Sequence, residues 1–331
     1  MNGVNLNRFQ FEYDLTWMAF FQDYAGINYA RYGGREDSDS ETHMTKASLV
    51  KTMKSVLELH RSNSVQPESK FEPRINDVFT PKDISTMKKM MSKRKESCIH
   101  CHDVKNARLR EKHVAGELKK SMVFTYPSPR NLGMIIDSDD QTLIDEILAT
   151  SAAHSKLKKG DRIKTLANQR VLTFADMTRV LEIMPEKGEL KVEVVRNGEP
   201  FSTTLPLQPG WKKSNDPKWR PSTNVVGPNS GFWANTLNQN QRKRLGIKDG
   251  EYGLKVVVTW GAWARKAGIR NGDIVVSLQG MKKTPAAKAN IRDLQSHLQM
   301  NREWGDTVKL ELIRNGKRIP ITMNLPKGPT E

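Results

Sequence analysis

Only two cysteines occur in 331 residues, Cys98 and Cys101. That excludes a small disulfide-stapled scaffold, which needs several bridges in place of a core. No run of eighteen apolar residues occurs, so no segment reads as a membrane-spanning helix. Met1 leads into Asn2-Gly3-Val4-Asn5 without the basic and apolar regions of a secretory leader. Zinc-finger spacing, aromatic RNA-binding motifs and a helix-turn-helix pattern are all missing. Gly227-Pro228-Asn229-Ser230-Gly231 superficially resembles a protease serine motif. The histidine, the acid and the two β-barrels that such a serine needs are not found ahead of it.

What is present is charge. The chain carries 54 Lys plus Arg against 37 Asp plus Glu, a net charge of +17. The basic residues are spread along the sequence, with one dense patch from Lys88-Lys89 to Lys93-Arg94-Lys95. Without a recognition motif beside it, that patch reads as solvated surface, and nucleic acid is not an expected partner. Length alone predicts two or three domains.

Residues 4 to 60 predict strand, strand, helix. Phe9-Gln10-Phe11-Glu12-Tyr13 has period two, and Leu15 and Trp17-Met18-Ala19-Phe20-Phe21 continue the apolar pattern. A turn at Asp23-Tyr24-Ala25-Gly26 leads to a second strand from Ile27 to Tyr32. Leu49, Met53, Val56, Leu57 and His60 then recur at helical spacing. Two strands and one helix bury too little to stand alone, and this layout resembles the C-terminal half of a thioredoxin-like domain. Pro67, Pro73 and Pro81 interrupt the next stretch. Thr80-Pro81 predicts a helix start, and a further helix is expected from about Cys98 to Leu118.

The spacing Cys98-x-x-Cys101-His102 is that of a c-type haem attachment, with His102 as the proximal ligand to iron. Met87, Met90, Met91, His113 and Met122 are the available axial partners. The same thiols could instead form a redox dithiol or disulfide, with His100 beside them. With one or two histidines they could hold a metal ion. The sequence leaves these alternatives open, and with them a possible redox partner protein.

From about residue 123 a pattern occurs twice, offset by about 110 residues. Ala152 to Ile163 carries Gly160-Asp161, and Trp263 to Ile274 carries Gly272-Asp273. Each is followed by an amphipathic helix, Phe174 to Leu181 and Ile291 to Leu298. Each then closes on a hairpin turning at Asn197-Gly198 or Asn315-Gly316, a pair suited to a type I′ turn. The layout resembles the bacterial type of PDZ domain, more closely in the second copy than in the first, where Lys156 departs from the usual Ala. That resemblance implies a glycine loop whose backbone amides hold a peptide carboxylate, and a groove where the peptide adds as a strand. In the first copy it points to Leu132, Gly133 and Met134, facing Met177 and Val180. In the second it points to Ser230, Gly231 and Phe232, with Phe232 and Trp233 filling part of the pocket.

Asp14-Leu15-Thr16-Trp17, Tyr29-Ala30-Arg31-Tyr32-Gly33-Gly34-Arg35, Ser97 to His102, Tyr126-Pro127-Ser128-Pro129, Gly210-Trp211 and Trp219-Arg220 together resemble the bacterial thioredoxin-like/PDZ (seleno)protein family. The resemblance implies a periplasmic or cell-envelope location. It also implies a redox-active segment ahead of the first strand, and this sequence is expected to begin after that point. The expected architecture is therefore α+β and multidomain. A partial thioredoxin-like segment (1–64) is followed by a helical CxxCH segment (65–122), PDZ domain 1 (123–209), and PDZ domain 2 with its leading linker (210–331). Protein C-termini or extended peptides are the expected partners.

Overall fold

A computed structural model describes residues 1–24, 26–62, 78–92, 98–214, 216–281 and 290–329. Pro67, Pro73, Lys93-Arg94-Lys95 and Ser97 lie outside them. The chain divides into two compact units: residues 1–111 with 121–219, and residues 112–120 with 220–331.

In the first unit, β1 (Met18–Gln22) and β2 (Asn28–Gly33) form an antiparallel hairpin. Helix α1 (Lys46–Arg61) starts where the Thr45 hydroxyl accepts from Ser48 N at 3.1 Å. Its buried residues are Ser48 and Thr52, whereas Met53 and Leu57 of the apolar stripe are 52% and 47% exposed. The polar side is inward because Tyr32 anchors there, its hydroxyl donating to Thr45 O at 2.8 Å and lying 2.7 Å from Ser48 Oγ. Phe9 to Tyr13 is not a strand. Phe11 and Tyr13 enter an aromatic cluster with Phe9 and Phe20. Glu12 and Asp14 are drawn inward by the buried Lys105 amine, at 2.7 and 2.9 Å.

Helices α2 (Ser85–Ser92) and α3 (Cys101–Val114) follow. α3 is shorter at both ends than the helix predicted over Cys98 to Leu118. Next come β3 (Met134–Ile136) paired with β4 (Ile144–Ile147), then β5 (Arg162–Leu166), β6 (Gln169–Arg170), helix α4 (Phe174–Ile183), β7 (Gly188–Arg196) and β8 (Glu199–Leu207). The last four strands make a sheet of order β6-β5-β7-β8. Leu166, Val192, Leu205 and Leu181 of the sheet and helix meet in its core. The N-terminal hairpin is not a separate body but lies in this unit, with β2 packed on α4.

The second unit contains α5 (Thr223–Val226), β9 (Phe232–Thr236), α6 (Gln239–Arg244), β10 (Leu254–Thr259), α7 (Ala262–Lys266), β11 (Ile274–Leu278), α8 (Ile291–Asn301), β12 (Thr307–Arg314) and β13 (Lys317–Asn324). Its sheet runs β13-β12-β11-β10-β9, leaving β9 at an edge. Leu254, Val275 and Leu312 pack beneath Leu294 and Leu298 of α8.

The two units share a hydrogen-bonded frame. Asn197 and Gly198 take φ of 52° and 87°, and Asn315 and Gly316 take 51° and 75°, as a type I′ turn requires. Arg196 donates to both carboxylate oxygens of buried Asp161 at 2.8 Å, and Arg314 to both of buried Asp273 at 2.7 Å. Both groove helices begin with an Asx/Thr cap and an Asp three residues on, Thr173 with Asp176 and Asn290 with Asp293.

Candidate functional site

The first groove begins at a 3₁₀ turn, Pro129–Leu132, whose cap Ser128 accepts from Arg130 N at 3.0 Å. Gly133 ends the turn in the left-handed region at φ 96°. A Cβ there would lie 1.9 Å from Ser151 Oγ, so both conformation and space demand glycine. The loop passes into β3, opposite α4. Leu132, Met134, Met177 and Val180 are all buried in one apolar cluster with Leu181 and Trp211. The five residues singled out in the first copy are thus brought together.

Sequence reasoning missed what holds α4 from its outer side. Arg31 N of β2 donates to Asp176 Oδ1 at 2.8 Å, and the Thr173 hydroxyl donates back to Arg31 O. Phe174 stacks on His43 at 3.7 Å, while Gln141 bridges Phe174 N and His43 O at 3.0 and 2.8 Å. Burial pushes the Asp176 carboxyl above its ordinary range, against the pull of Arg31. The Thr173-x-x-Asp176 cap was the one visible signal; the strand that covers it lies more than a hundred residues away.

The second groove is arranged otherwise. Gly231, at φ 74°, has its carbonyl held by Trp260 N and Gly261 N at 3.0 and 2.7 Å. Gln295 of α8 reaches across the groove: Ser230 N donates to its Oε1 at 3.0 Å, and its Nε2 donates to Ser230 Oγ and Phe232 O at 2.7 and 3.3 Å. One side chain therefore satisfies a loop amide and the first carbonyl of the edge strand. Phe232 is fully buried, while Trp233 points to the opposite face. The Ser230 hydroxyl donates to Phe232 O at 2.9 Å, which gives it a structural rather than a nucleophilic setting.

Cys98 precedes α3 and is exposed; Cys101 opens the helix and is half-buried; both are free thiols. Asp103 caps the helix, accepting from His100 N at 2.8 Å. Ile99 and Cys101 turn into the cluster of Leu6, Phe11 and Met87, where Cys101 Sγ lies 3.7 Å from Met1 Sδ. Burial pushes the Cys101 thiol up, which favours thiol over thiolate. His102 instead faces solvent, 3.6 Å from Asp103 Oδ1. Cys101 is thus turned inward while Cys98 and His102 are exposed. Among the described residues no group of three or more His, Cys, Asp or Glu side chains is placed to hold a metal ion.

Residues 121–195 match the family model described as the PDZ domain. The chain carries a PDZ domain there. It is 26% identical over 170 residues to the periplasmic pH-dependent serine endoprotease DegQ of Escherichia coli (strain K12), covering 48% of this chain and 34% of that protein. It is 24% identical over 199 residues to a probable periplasmic serine endoprotease, DegP-like, of Pseudomonas putida (strain W619), covering 57% of this chain and 39% of that one. The chain thus spans little more than a third of these curated relatives. Among solved structures it is similar to the HtrA-type protease AlgW with decapeptide, at 12% identity and TM-score 0.26 over 52% of this chain and 56% of that one. A superposition that loose carries no weight.

Within the PDZ domain the chemistry is that of backbone and apolar surface. Among the described residues β3 pairs with β4 alone, which leaves its other edge without a strand partner. The Gly133 amide and carbonyl are already bonded to Arg130 O and Leu148 N at 2.9 Å, and Met177 and Val180 lie buried behind them. No helix among the described residues is long and apolar enough to cross a membrane.

Proposed function

We propose that this chain captures extended or C-terminal peptides through the PDZ domain, in the cell envelope where the relatives named above act. The observation that carries the reading is the convergence of Leu132, Gly133 and Met134 with Met177 and Val180 behind one glycine loop. A terminal apolar side chain would part this buried cluster, and the carboxylate would compete for the Gly133 amide, which here donates to Arg130 O at 2.9 Å. The second unit, on its shared frame, is a second PDZ-type module whose groove binds more weakly. Fluorescence polarisation with C-terminal peptides ending in an apolar residue should give micromolar affinity, about −8 kcal/mol. Amidating the peptide carboxylate should abolish most of it. Equal binding of free and amidated peptides would overturn the reading, and because the change is made in the ligand, folding does not confound it.

For the CxxCH segment we propose a thiol redox role serving a partner protein, on a partial thioredoxin-like scaffold. It rests on the contrast between exposed Cys98 and half-buried Cys101, one accessible thiol beside one guarded. Titration against glutathione should give a midpoint in the range of about −120 to −270 mV. Thiols that stay unpaired at every poise would refute it. A Soret band surviving denaturation, in protein matured where haem c is attached, would put haem at Cys98 and Cys101 instead, with His102 on the iron.

A further inference from the structure

The second unit hides its groove and exposes its reverse face. On β9, β10 and the turn that follows, Trp233, Val257, Val258 and Trp260 are 42%, 41%, 45% and 45% exposed. Trp233 stands directly across from Val258 in the ladder. A register shift between Val256 and Val258 breaks the alternation, so that two successive valines turn outward. Trp260 continues the patch, edge-on to Trp263 at 5.5 Å.

The backbone at this tip is already satisfied. Trp260 N and Gly261 N donate to Gly231 O, and Thr259 O and Trp260 O both accept from Arg265 Nη1, at 3.1 and 2.7 Å. A strand-adding peptide needs free main-chain groups, whereas an apolar phase tolerates a tip only when such groups are paired. The charge around the patch is positive. Lys255 lies on the same strand, exposed, and Arg265, Lys266 and Arg270 follow the tip. Two acids of this unit are already paired, Asp273 with Arg314 inside the fold and Glu251 with Arg318 at the surface. Indoles seek the boundary between headgroup and hydrocarbon, and cations seek anionic headgroups.

We infer that the outer face of β9 and β10 docks peripherally on an anionic lipid bilayer, with Trp233, Val257, Val258 and Trp260 at the headgroup boundary and Lys255, Arg265 and Lys266 on the lipid phosphates. The occupant follows from charge and from the paired backbone of the tip.

The test uses the full chain with sedimented vesicles, one set of phosphatidylcholine and one of phosphatidylglycerol and phosphatidylethanolamine in equal parts. Binding should be confined to the anionic vesicles, and brominated acyl chains should quench tryptophan emission. The double variant Trp233→Ser, Trp260→Ser should lower partitioning by about tenfold or more. Lys255→Glu with Lys266→Glu, at exposed positions where folding is not at stake, should lower it as well. No binding to either vesicle would overturn the inference. So would binding that both variants leave unchanged, or capture of an acidic protein by this face without any vesicle binding.

Discussion

Two copies of one frame stand in this chain, and they use their surfaces in opposite ways. In the first, the groove helix is covered from outside by β2, and the pocket residues close on one another without a polar plug. In the second, Gln295 bolts the helix to the loop and edge strand, and the exposed apolar surface lies on the far side of the sheet. The pairs Asp161–Arg196 and Asp273–Arg314 and the Asn-Gly hairpins are nearly superposable in chemistry. A shared frame therefore says little about shared binding, which depends on a few side chains facing the groove.

The largest effect should come from the frame itself. Arg196→Leu or Arg314→Leu leaves a buried carboxylate without its cation, at a cost of about 3 kcal/mol. Hydrogen exchange should show the loss confined to the unit that carries the change. Equal softening of both units, or of neither, would break the comparison.

Next in size is the plug. Gln295→Ala removes three hydrogen bonds and should cost about 1–2 kcal/mol in the second unit. If the plug is what separates the grooves, the same variant should bind free C-terminal peptides about tenfold more tightly. Calorimetry that finds affinity unchanged would show that Phe232 alone closes the pocket.

The units should also differ in their response to pH. Burial raises Asp176 in the folded first unit, so the folded state keeps a proton that the unfolded chain has released. That unit should lose stability as pH climbs from the ordinary aspartate value to the folded one. Asp176→Asn should flatten the slope. In the second unit, hydrogen bonding to Arg318 lowers Glu251. Its contribution is present above the ordinary glutamate value and fades as pH falls through the folded one. Unfolding curves of the opposite slope in either unit would refute the assignment.

The smallest effect is at the hairpins. Asn197→Ala and Asn315→Ala place alanine at φ near 50°, and each should cost about 1 kcal/mol. Urea midpoints should move by similar amounts in the two units.

Much of the frame was legible beforehand. Both hairpin turns, both groove helices and the Gly160-Asp161 and Gly272-Asp273 loops depend on neighbours in sequence, and they fall where the pattern puts them. The residues named for the candidate pocket of the first copy came from the resemblance, and Leu132, Met134, Met177 and Val180 share one apolar cluster. The strand expected at Phe9 to Tyr13 was not realised, because alternation cannot register a buried lysine such as Lys105 calling Glu12 inward from 93 residues away. The helical start expected at Cys98 moved to Cys101, since Asp103 caps from inside the helix.

By itself the sequence determined the local geometry, the duplicated frame, the glycines at positive φ and the basic character, because these follow from residue type and short-range contact. Only the tertiary structure decided that α1 turns Ser48 and Thr52 inward, that Gln295 closes a groove 65 residues from its own position, and that Trp233 faces away from Phe232. Each of these is a choice between two faces of one element. A face is chosen by the partner that packs against it, and that partner arrives from a distant part of the chain.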